Sequence, residues 1–230
     1  MKCGIIIAAA GQGKRLGLKQ NKILFELAGK PMLIYSVERF RKFTWVEEIV
    51  VVVHEEEVDL IRQLLKLYQL DRRTEVVIGG SERQDSIANG LAAVTSDYVM
   101  VHDAARPFVS DKLIKRLYER LYDVDAVIPG VPVVDTIKLV DKYRRVIQTL
   151  NRDQLWAIQT PQAFSRRLLV EAYEKAQVEG FIGTDDSSLV ENIGVDVEVI
   201  TGDERNLKIT TAADLVHAEK ILNNWSEEND

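Results

Sequence analysis

A loop of small and basic residues follows the first apolar run of the sequence. Residues 8–15 read AAAGQGKR, directly after the run 4–7 (GIII), and Lys22 lies seven positions after Arg15. Small residues let backbone N–H groups approach a phosphate chain closely, and cationic side chains neutralise phosphate charge. This spacing predicts a site for a phosphate-bearing ligand near the start of the chain.

Several interpretations of this loop compete. A P-loop needs an initial Gly and a final Gly-Lys-Ser/Thr, but the loop has Ala8 at the first position and ends in Gly-Lys-Arg. A dinucleotide fingerprint fits Gly11 and Gly13 but meets Leu16 where the third Gly or Ala belongs. A tight turn with solvated lysines is the plain alternative. The pattern G-x-G-x-R with a second cation at Lys22 favours a nucleotidyltransferase loop.

Asp103 is the first candidate for binding a metal. It follows the apolar run 98–101, where a carboxylate can ligate Mg²⁺ beside phosphates. A helix N-cap or an ion-pair partner for Arg106 is the alternative role. Zinc is not expected, because only His54, His102 and His217 are present and they are scattered, so His102 is predicted to be structural.

A second glycine-containing segment, 79–86 (GGSERQDS), leaves a predicted strand and enters a predicted helix. Its small residues permit a base to lie against the backbone, and the Ser86 hydroxyl could hydrogen-bond the edge of the ring. Ser81 has an alternative role as a cap of the helix.

Length and composition limit the class of protein. The 230 residues, 46% of them hydrophobic, support one domain over 1–230 with a sizeable core, and the net charge of −6 argues against a nucleic-acid-coating protein. Residues 1–30 nevertheless hold six cations against one anion. Cys3 is the only cysteine, and no apolar run is long enough for a signal peptide or a membrane span. We therefore expect a cytoplasmic protein with no nucleic-acid or membrane partner.

Short apolar runs alternate with helical patterns along the chain. This alternation predicts an α/β fold, with a Rossmann-like, largely parallel twisted sheet flanked by helices. The predicted strands are 4–8, 49–53, 75–78, 98–102, 126–128 and 196–200. The predicted helices are one beginning at Pro31 and those over 56–68, 82–94, 111–121, 165–178 and 211–223.

The pattern changes after Pro129. Segments 135–140 and 145–150 alternate apolar and polar residues on either side of 141–144, which is typical of a β-hairpin. We expect residues 132–153 to form a projecting β-hairpin arm rather than another βαβ unit.

The motifs, taken in order, resemble one enzyme family. The loop 11–15 with Lys22 is similar to the signature of the sugar-nucleotide pyrophosphorylase superfamily, and VHDAARP (101–107), QTPQ (159–162) and TDD (184–186) narrow the resemblance. Together they resemble the 2-C-methyl-D-erythritol 4-phosphate cytidylyltransferase family, from residue 4 to about 217. The resemblance implies transfer of CMP from CTP to 2-C-methyl-D-erythritol 4-phosphate, giving 4-diphosphocytidyl-2-C-methyl-D-erythritol and pyrophosphate in the non-mevalonate isoprenoid pathway.

The same resemblance implies a role for each matching residue. Arg15 and Lys22 would stabilise the α-phosphate in the transition state, and Asp103 would hold Mg²⁺ or another divalent cation. The nucleotide-binding residues would be Ala9, Ala10, Gly11, Gly13, Gly80, Ser81, Ser86, Ala104 and Lys208. The acceptor-binding residues would be Arg106, Asp135, Thr136, Arg152, Thr160, Thr184 and Asp185. The arms of relatives interlock in a homodimer, so Arg152 would act on the neighbouring subunit's substrate. Without the resemblance, Lys208 is an exposed lysine at a strand end.

Other functions remain open at this point. A cytidylyltransferase for ribitol 5-phosphate or a related polyol phosphate would use the same CTP site, and a catalytically silent nucleotide-binding regulator would share the fold. The combination of Arg15, Lys22, Asp103 and Lys208 favours an enzyme over a silent binder. A nicotinamide dehydrogenase is disfavoured by Leu16.

Overall fold

The computed structural model describes residues 1–11 and 22–225 of the chain. The strands are β1 (Cys3–Ala8), β2 (Glu26–Leu27), β3 (Lys30–Pro31), β4 (Val46–Val53), β5 (Thr74–Ile78), β6 (Tyr98–Asp103), β7 (Ala126–Pro132), β8 (Lys138–Val140), β9 (Val146–Thr149), β10 (Trp156–Ile158), β11 (Gln162–Ser165) and β12 (Glu198–Thr201). The helices are α1 (Met32–Arg41), α2 (Val58–Leu67), α3 (Arg83–Ala93), α4 (Asp111–Arg120), α5 (Arg166–Glu179), α6 (Asp186–Asn192) and α7 (Ala212–Asn223).

The central sheet has the strand order β10-β7-β11-β6-β1-β4-β5, with β12 paired to β7. The pairs β1–β4, β1–β6, β4–β5 and β7–β12 are parallel, whereas β10 and β11 run antiparallel to their neighbours. The predicted Rossmann-like, largely parallel sheet is therefore confirmed. Because β1, β4, β5 and β6 are parallel, their carboxyl ends meet at one edge of the sheet, where α/β proteins bind ligands.

Helices cover both faces of this sheet. Ile5 and Ile7 pack with residues of α1 and α4, whereas Ile6 packs with residues of α3 and α5. A strand buried on both faces has to be apolar at every position, which explains the uninterrupted runs in β1 and β4. Full burial of each isoleucine contributes on the order of 2 kcal/mol, so these strands are rigid supports for the loops that follow them.

Gly90 sets the distance between α3 and the sheet. A Cβ at this position would lie 2.8 Å from side-chain atoms of both Ile6 and Val52, closer than packed carbon atoms approach. The glycine therefore allows α3 to lie directly on β1 and β4. This contact holds the first turn of α3, which begins at Arg83, in a constant position relative to the carboxyl edge of the sheet.

The sequence prediction for the second half of the sheet is partly wrong. β7 continues through Pro129 instead of ending before it. Proline lacks a backbone N–H, but the sheet uses only its carbonyl, which accepts from Gln159 N at 2.8 Å. The short strands β10 and β11 and the helix α6 were not predicted. All three are brief and lack a clear hydrophobic period, which is the signal that such prediction depends on.

The predicted hairpin is confirmed, with shorter strands than expected. β8 and β9 form a two-stranded antiparallel sheet separate from the central one. Its apolar side chains face outward, and Ile147, for example, is 62% exposed. Among the helices within residues 1–11 and 22–225, none is long and apolar enough to cross a membrane.

Candidate active site

Backbone hydrogen bonds between neighbouring chain segments continue beyond the strands into the loops at the carboxyl edge of the sheet. Ala9 N donates to Val52 O at 2.9 Å, Gly79 N donates to Val53 O at 2.8 Å, and Ala104 N donates to Ala8 O at 3.1 Å. The loops after β1, β5 and β6 therefore lie side by side. They contain the predicted nucleotide-binding residues Ala9, Ala10, Gly11, Gly80, Ser81 and Ala104, and Ser86 follows in the first turn of α3.

The first loop and segment 79–86 are in direct contact. A Cβ at Gly79 would lie 2.7 Å from Ser86 Oγ and 2.9 Å from Ala10 Cβ, so only glycine permits this approach. Ser86 is buried; its hydroxyl donates to Glu82 O and accepts from Gly80 N, both at 3.0 Å. One acceptor lone pair of the hydroxyl is left for a ligand, which suits the amino group of a cytosine ring.

Ser81 is not the N-cap of α3, so its alternative role as that cap is wrong. The N-cap is Glu82, whose backbone N–H donates to Asp85 Oδ2 at 3.1 Å. Ser81 instead donates its hydroxyl to the same oxygen at 2.5 Å, and this hydrogen bond lowers the pKa of the Asp85 carboxyl. Ser81 therefore stabilises the first turn of α3 from outside the helix.

Asp103 ends β6 and lies between two cations. Lys208 Nζ is 2.5 Å from Asp103 Oδ2, and Arg83 Nη2 is 3.5 Å from Oδ1. Burial by itself would raise the pKa of Asp103, but Lys208 and Arg83 outweigh it and hold the pKa well below its usual range. The carboxylate is consequently ionised at neutral pH.

This environment fits a Mg²⁺ ligand. Among the described residues there is no group of three or more His, Cys, Asp or Glu side chains placed to hold a metal. Mg²⁺ commonly binds through one or two carboxylates together with water and substrate phosphates, so a single ionised Asp103 at the phosphate edge is an adequate donor. Any metal bound through Oδ2 would have to take the place of Lys208.

Lys208 lies in an irregular segment between β12 and α7, and its expected place at a strand end is therefore wrong. Backbone and side-chain hydrogen bonds attach this segment to the sheet edge. Ile209 N donates to Ala105 O at 2.9 Å, and Asn206 Nδ2 donates to Thr160 O at 2.8 Å. These hydrogen bonds thus place Lys208 beside Asp103, although the two residues are 105 positions apart in the sequence.

Arg106 joins the segment that contains Asn206 to the end of β10 through backbone carbonyls. Its Nη1 donates to Asn206 O at 2.6 Å and its Nη2 to Ile158 O at 3.4 Å. Burial lowers the pKa of this guanidinium. The contact between Arg106 and the acceptor remains a prediction, because these carbonyls already occupy two of its nitrogen atoms.

His102 is fully buried and its two ring nitrogens have different partners. Nε2 lies 3.0 Å from Arg106 O, which can only accept, so Nε2 carries the proton and Nδ1 accepts from the Thr160 hydroxyl at 3.2 Å. Burial lowers the pKa of His102 to about 4. The same Thr160 hydroxyl accepts from Asp103 N at 3.0 Å. His102 is therefore a structural residue, as the sequence predicts, and Thr160 orients the end of β6.

The other five predicted acceptor residues form two groups. Asp185 is the N-cap of α6, accepting from Ser188 N at 3.0 Å, and also accepts from Gln162 Nε2 at 2.7 Å. With the exposed Thr184 it lines a cavity of about 500 Å³. The second group lies at the base of the arm, where Asp135 and Thr136 are exposed and Arg152 Nη1 donates to Val134 O at 3.0 Å. The polyol-binding role of each residue remains a prediction.

Sequence reasoning assigned no role to Arg83 or Asp186. Arg83 donates to both oxygens of Asp186, at 3.1 and 2.7 Å, and Asp186 is completely buried. Both residues lie inside motifs that the sequence singled out, but nothing in a single sequence pairs two positions 103 residues apart. The presence of a charged residue in each of these two motifs was the only available signal.

The predictions for Gly13 and Arg15, and for the side chain of Lys22, lie outside the described residues. Lys22 begins a 3₁₀ helix, Lys22–Leu24, and the next residue, Ile23, is buried in the core. The backbone at Lys22 is thereby attached to the main body of the protein.

Fold and site together place the chain among the Rossmann-like nucleotidyltransferases. Small-residue loops converge at the carboxyl edge of a largely parallel sheet, and an ionised aspartate and a lysine meet there.

Comparison with known proteins identifies the family. A family model described as IspD, 2-C-methyl-D-erythritol 4-phosphate cytidylyltransferase, matches residues 3–224. The enzyme of that name from Halalkalibacterium halodurans is 43% identical over 96% of this chain and 97% of its own length, and that from Dictyoglomus thermophilum is 44% identical over 94% and 95%. The crystal structure of 4-diphosphocytidyl-2C-methyl-D-erythritol synthase from Anaerococcus prevotii has a TM-score of 0.85, with 33% identity, over 96% of both chains. The chain belongs to the 2-C-methyl-D-erythritol 4-phosphate cytidylyltransferase family.

Proposed function

We propose that this chain transfers CMP from CTP to 2-C-methyl-D-erythritol 4-phosphate and releases pyrophosphate. Family membership supports the reaction, and one structural observation supports its location. The loops after β1, β5 and β6 meet where Asp103 and Lys208 are in contact. A triphosphate on the first loop would thus lie next to the base-binding segment 79–86 and beside a lysine.

The reaction needs charge neutralisation more than proton transfer. The attacking group is a phosphate oxygen that is already ionised, so no protein base has to activate it. His102 is not available as a base, because it is buried and both its nitrogens are occupied. Catalysis then consists of stabilising negative charge on the α-phosphate and the leaving pyrophosphate. Arg15 and Lys22 are the residues proposed for the α-phosphate, and Lys208 for the triphosphate.

Asp103 is the residue proposed to hold Mg²⁺. When bound there, the metal would supply positive charge to the phosphates of CTP. The ionised state of Asp103 is maintained by Arg83 and Lys208, so the ligand is ready at neutral pH without losing a proton first. Lys208 would then leave Asp103 for the phosphates, while Arg83 would remain beside the carboxylate together with the metal.

The β-arm, residues 132–153, is proposed to complete the acceptor site in a homodimer. Apolar side chains on both strands of the hairpin are exposed, which a solvent-facing hairpin does not require. Arg152 would then bind the acceptor phosphate of the neighbouring subunit by a two-bond fork. The single domain, 1–230, is proposed to work in the cytoplasm on these small-molecule substrates.

Pyrophosphate release tests the proposal. The enzyme is mixed with CTP and Mg²⁺, and with 2-C-methyl-D-erythritol 4-phosphate, ribitol 5-phosphate or no acceptor. We expect turnover with the first acceptor only. Turnover with ribitol 5-phosphate alone would identify a different polyol-phosphate cytidylyltransferase, and CTP binding without turnover on either acceptor would favour a silent nucleotide-binding protein.

A further inference from the structure

Arg83 and Asp186 join two helices next to the proposed metal ligand. Arg83 is the first residue of α3 and Asp186 the first residue of α6. Nη1 and Nη2 of Arg83 donate to Oδ1 and Oδ2 of Asp186, at 3.1 and 2.7 Å. Two parallel hydrogen bonds fix the plane of the guanidinium as well as its distance from the carboxylate.

Asp186 is held from a third direction. The Tyr173 hydroxyl, on α5, donates to Asp186 Oδ1 at 2.6 Å, and Tyr173 is itself buried in the apolar core. The fully buried carboxylate thus accepts three hydrogen bonds, which offset its loss of hydration. Asp186 is therefore a rigid anchor for Arg83.

Arg83 extends from this anchor to Asp103. Its Nη2 lies 3.5 Å from Asp103 Oδ1, on the other carboxylate oxygen from Lys208. The two cations differ in freedom of movement, because Arg83 is fixed by two bonds to a buried group, whereas the Lys208 side chain is 42% exposed and lies in an irregular segment. We therefore expect a ligand that competes for Asp103 to displace Lys208 and leave Arg83 in place.

We propose that Arg83, locked by Asp186 and Tyr173, is a positioning residue that orients the Asp103 carboxylate for a divalent cation and couples it to the base-binding segment. The inference rests on the proposed function and deepens it. Arg83 lies within segment 79–86, three residues before Ser86, so the cytosine contacts and the metal ligand are fixed by the same turn of α3. Loss of a side chain that contacts a metal ligand, rather than the metal itself, weakens metal affinity by about 10- to 100-fold.

Binding of Mn²⁺ to the protein–CTP complex tests the coupling without turnover. Electron paramagnetic resonance measures free Mn²⁺ while CTP is saturating and no acceptor is present. Arg83→Lys retains the charge and removes the fork, and the double variant Arg83→Met with Asp186→Leu replaces the buried pair by apolar groups, which leaves neither charge of the pair buried without its partner. We expect the Mn²⁺ dissociation constant to rise about 10-fold or more in both variants.

A matched pair elsewhere serves as the control. Arg120 and Glu198 also form a two-bond pair, at 2.7 and 2.8 Å, near the start of β7 at the opposite end of the sheet from Asp103. Arg120→Met with Glu198→Leu should leave the Mn²⁺ constant within about 2-fold of the unmodified protein. An unchanged constant in the folded double variant at Arg83 and Asp186, or in folded Arg83→Lys, would overturn the proposal. Since no acceptor is present, the result does not depend on which polyol phosphate the enzyme uses.

Discussion

At the scale of single residues, charge neutralisation is the central requirement of the proposed reaction. Asp103 is ionised because Lys208 and Arg83 lie against it, and Lys208 is in turn close to the phosphate edge because its segment is tied to Thr160 and Ala105. The motif around Asp103 allows the sequence to predict its role. The partners of Asp103 could not be predicted, since they come from positions 83 and 208.

Replacing Lys22 by alanine tests whether this cation acts in the transition state. We expect kcat to fall by about 10²-fold or more, the scale for loss of one preorganised contact to developing charge, while the KM for CTP changes less. Pyrophosphate release at saturating substrates measures kcat. Lys66→Ala, an exposed lysine in the last turn of α2, is the control for removal of a positive charge. A kcat equal to that of the control would exclude Lys22 from the mechanism.

The buried His102 is expected to make the free energy of unfolding depend on pH. Its folded-state pKa of about 4 lies below the ordinary value of 6.5, so the unfolded chain binds more protons between these two pH values. The contribution of neutral His102 is therefore present above about pH 6.5 and is lost as the pH falls toward 4, by up to about 1.4 kcal/mol per pH unit.

Urea unfolding across this pH range measures the slope. His102→Gln retains a donor for Arg106 O and removes the titrating ring, so its free energy of unfolding should depend less steeply on pH between 4 and 6.5. His217→Gln, on the exposed face of α7, controls for loss of a histidine elsewhere. Parallel slopes for the unmodified protein and His102→Gln would contradict the assignment of His102 as buried and neutral.

At the scale of elements, long periodic segments were predicted well and short ones were not. β1, β4 and β6 follow from apolar runs, and α4 from its periodicity, with Ser110 as N-cap accepting from Leu113 N. β10 and β11, with three and four residues, carry too few positions for any period. Their placement beside β7 depends on tertiary contacts, such as Gln159 N to Pro129 O, that no local pattern contains.

The β-arm is expected to hold the two subunits of a homodimer together. Ile147 on β9 is exposed in a single chain and is expected to be buried between subunits. Ile147→Asp should convert the dimer to a monomer in sedimentation velocity, since a buried unpaired charge costs several kcal/mol. Val178→Asp, at an exposed position of α5, should leave the dimer intact. A dimer that persists in Ile147→Asp at the same concentration, or a fully active monomer of the unmodified chain, would exclude the arm as the interface.

At the scale of the whole molecule, the acidic protein brings cations from distant parts of the chain to Asp103 at one edge of the sheet. Lys208 and Arg83 meet at Asp103 within one subunit. Arg152 lies near the end of the arm, at the start of the 3₁₀ helix Arg152–Gln154. The proposed dimer brings this last cation to the neighbouring subunit's acceptor phosphate.

Mixed dimers test this arrangement. Lys22→Ala and Arg152→Ala subunits should each be nearly inactive alone, but a dimer of one with the other contains one complete site if Arg152 acts across the interface. Purified mixed dimers should therefore have about half of the unmodified activity, since one of the two sites in each dimer is intact. Co-expression with two affinity tags and pyrophosphate release measure this recovery. No recovery in purified mixed dimers would place Arg152 at its own subunit's site.

The identity of the product decides whether the chain transfers CMP to 2-C-methyl-D-erythritol 4-phosphate. Phosphorus NMR is recorded on the enzyme with CTP, Mg²⁺ and 2-C-methyl-D-erythritol 4-phosphate. The phosphomonoester signal of the acceptor should be replaced by the signals of a diphosphate that is esterified at both ends, together with one equivalent of pyrophosphate. An unchanged phosphomonoester signal under conditions in which ribitol 5-phosphate is converted would exclude 2-C-methyl-D-erythritol 4-phosphate as the acceptor.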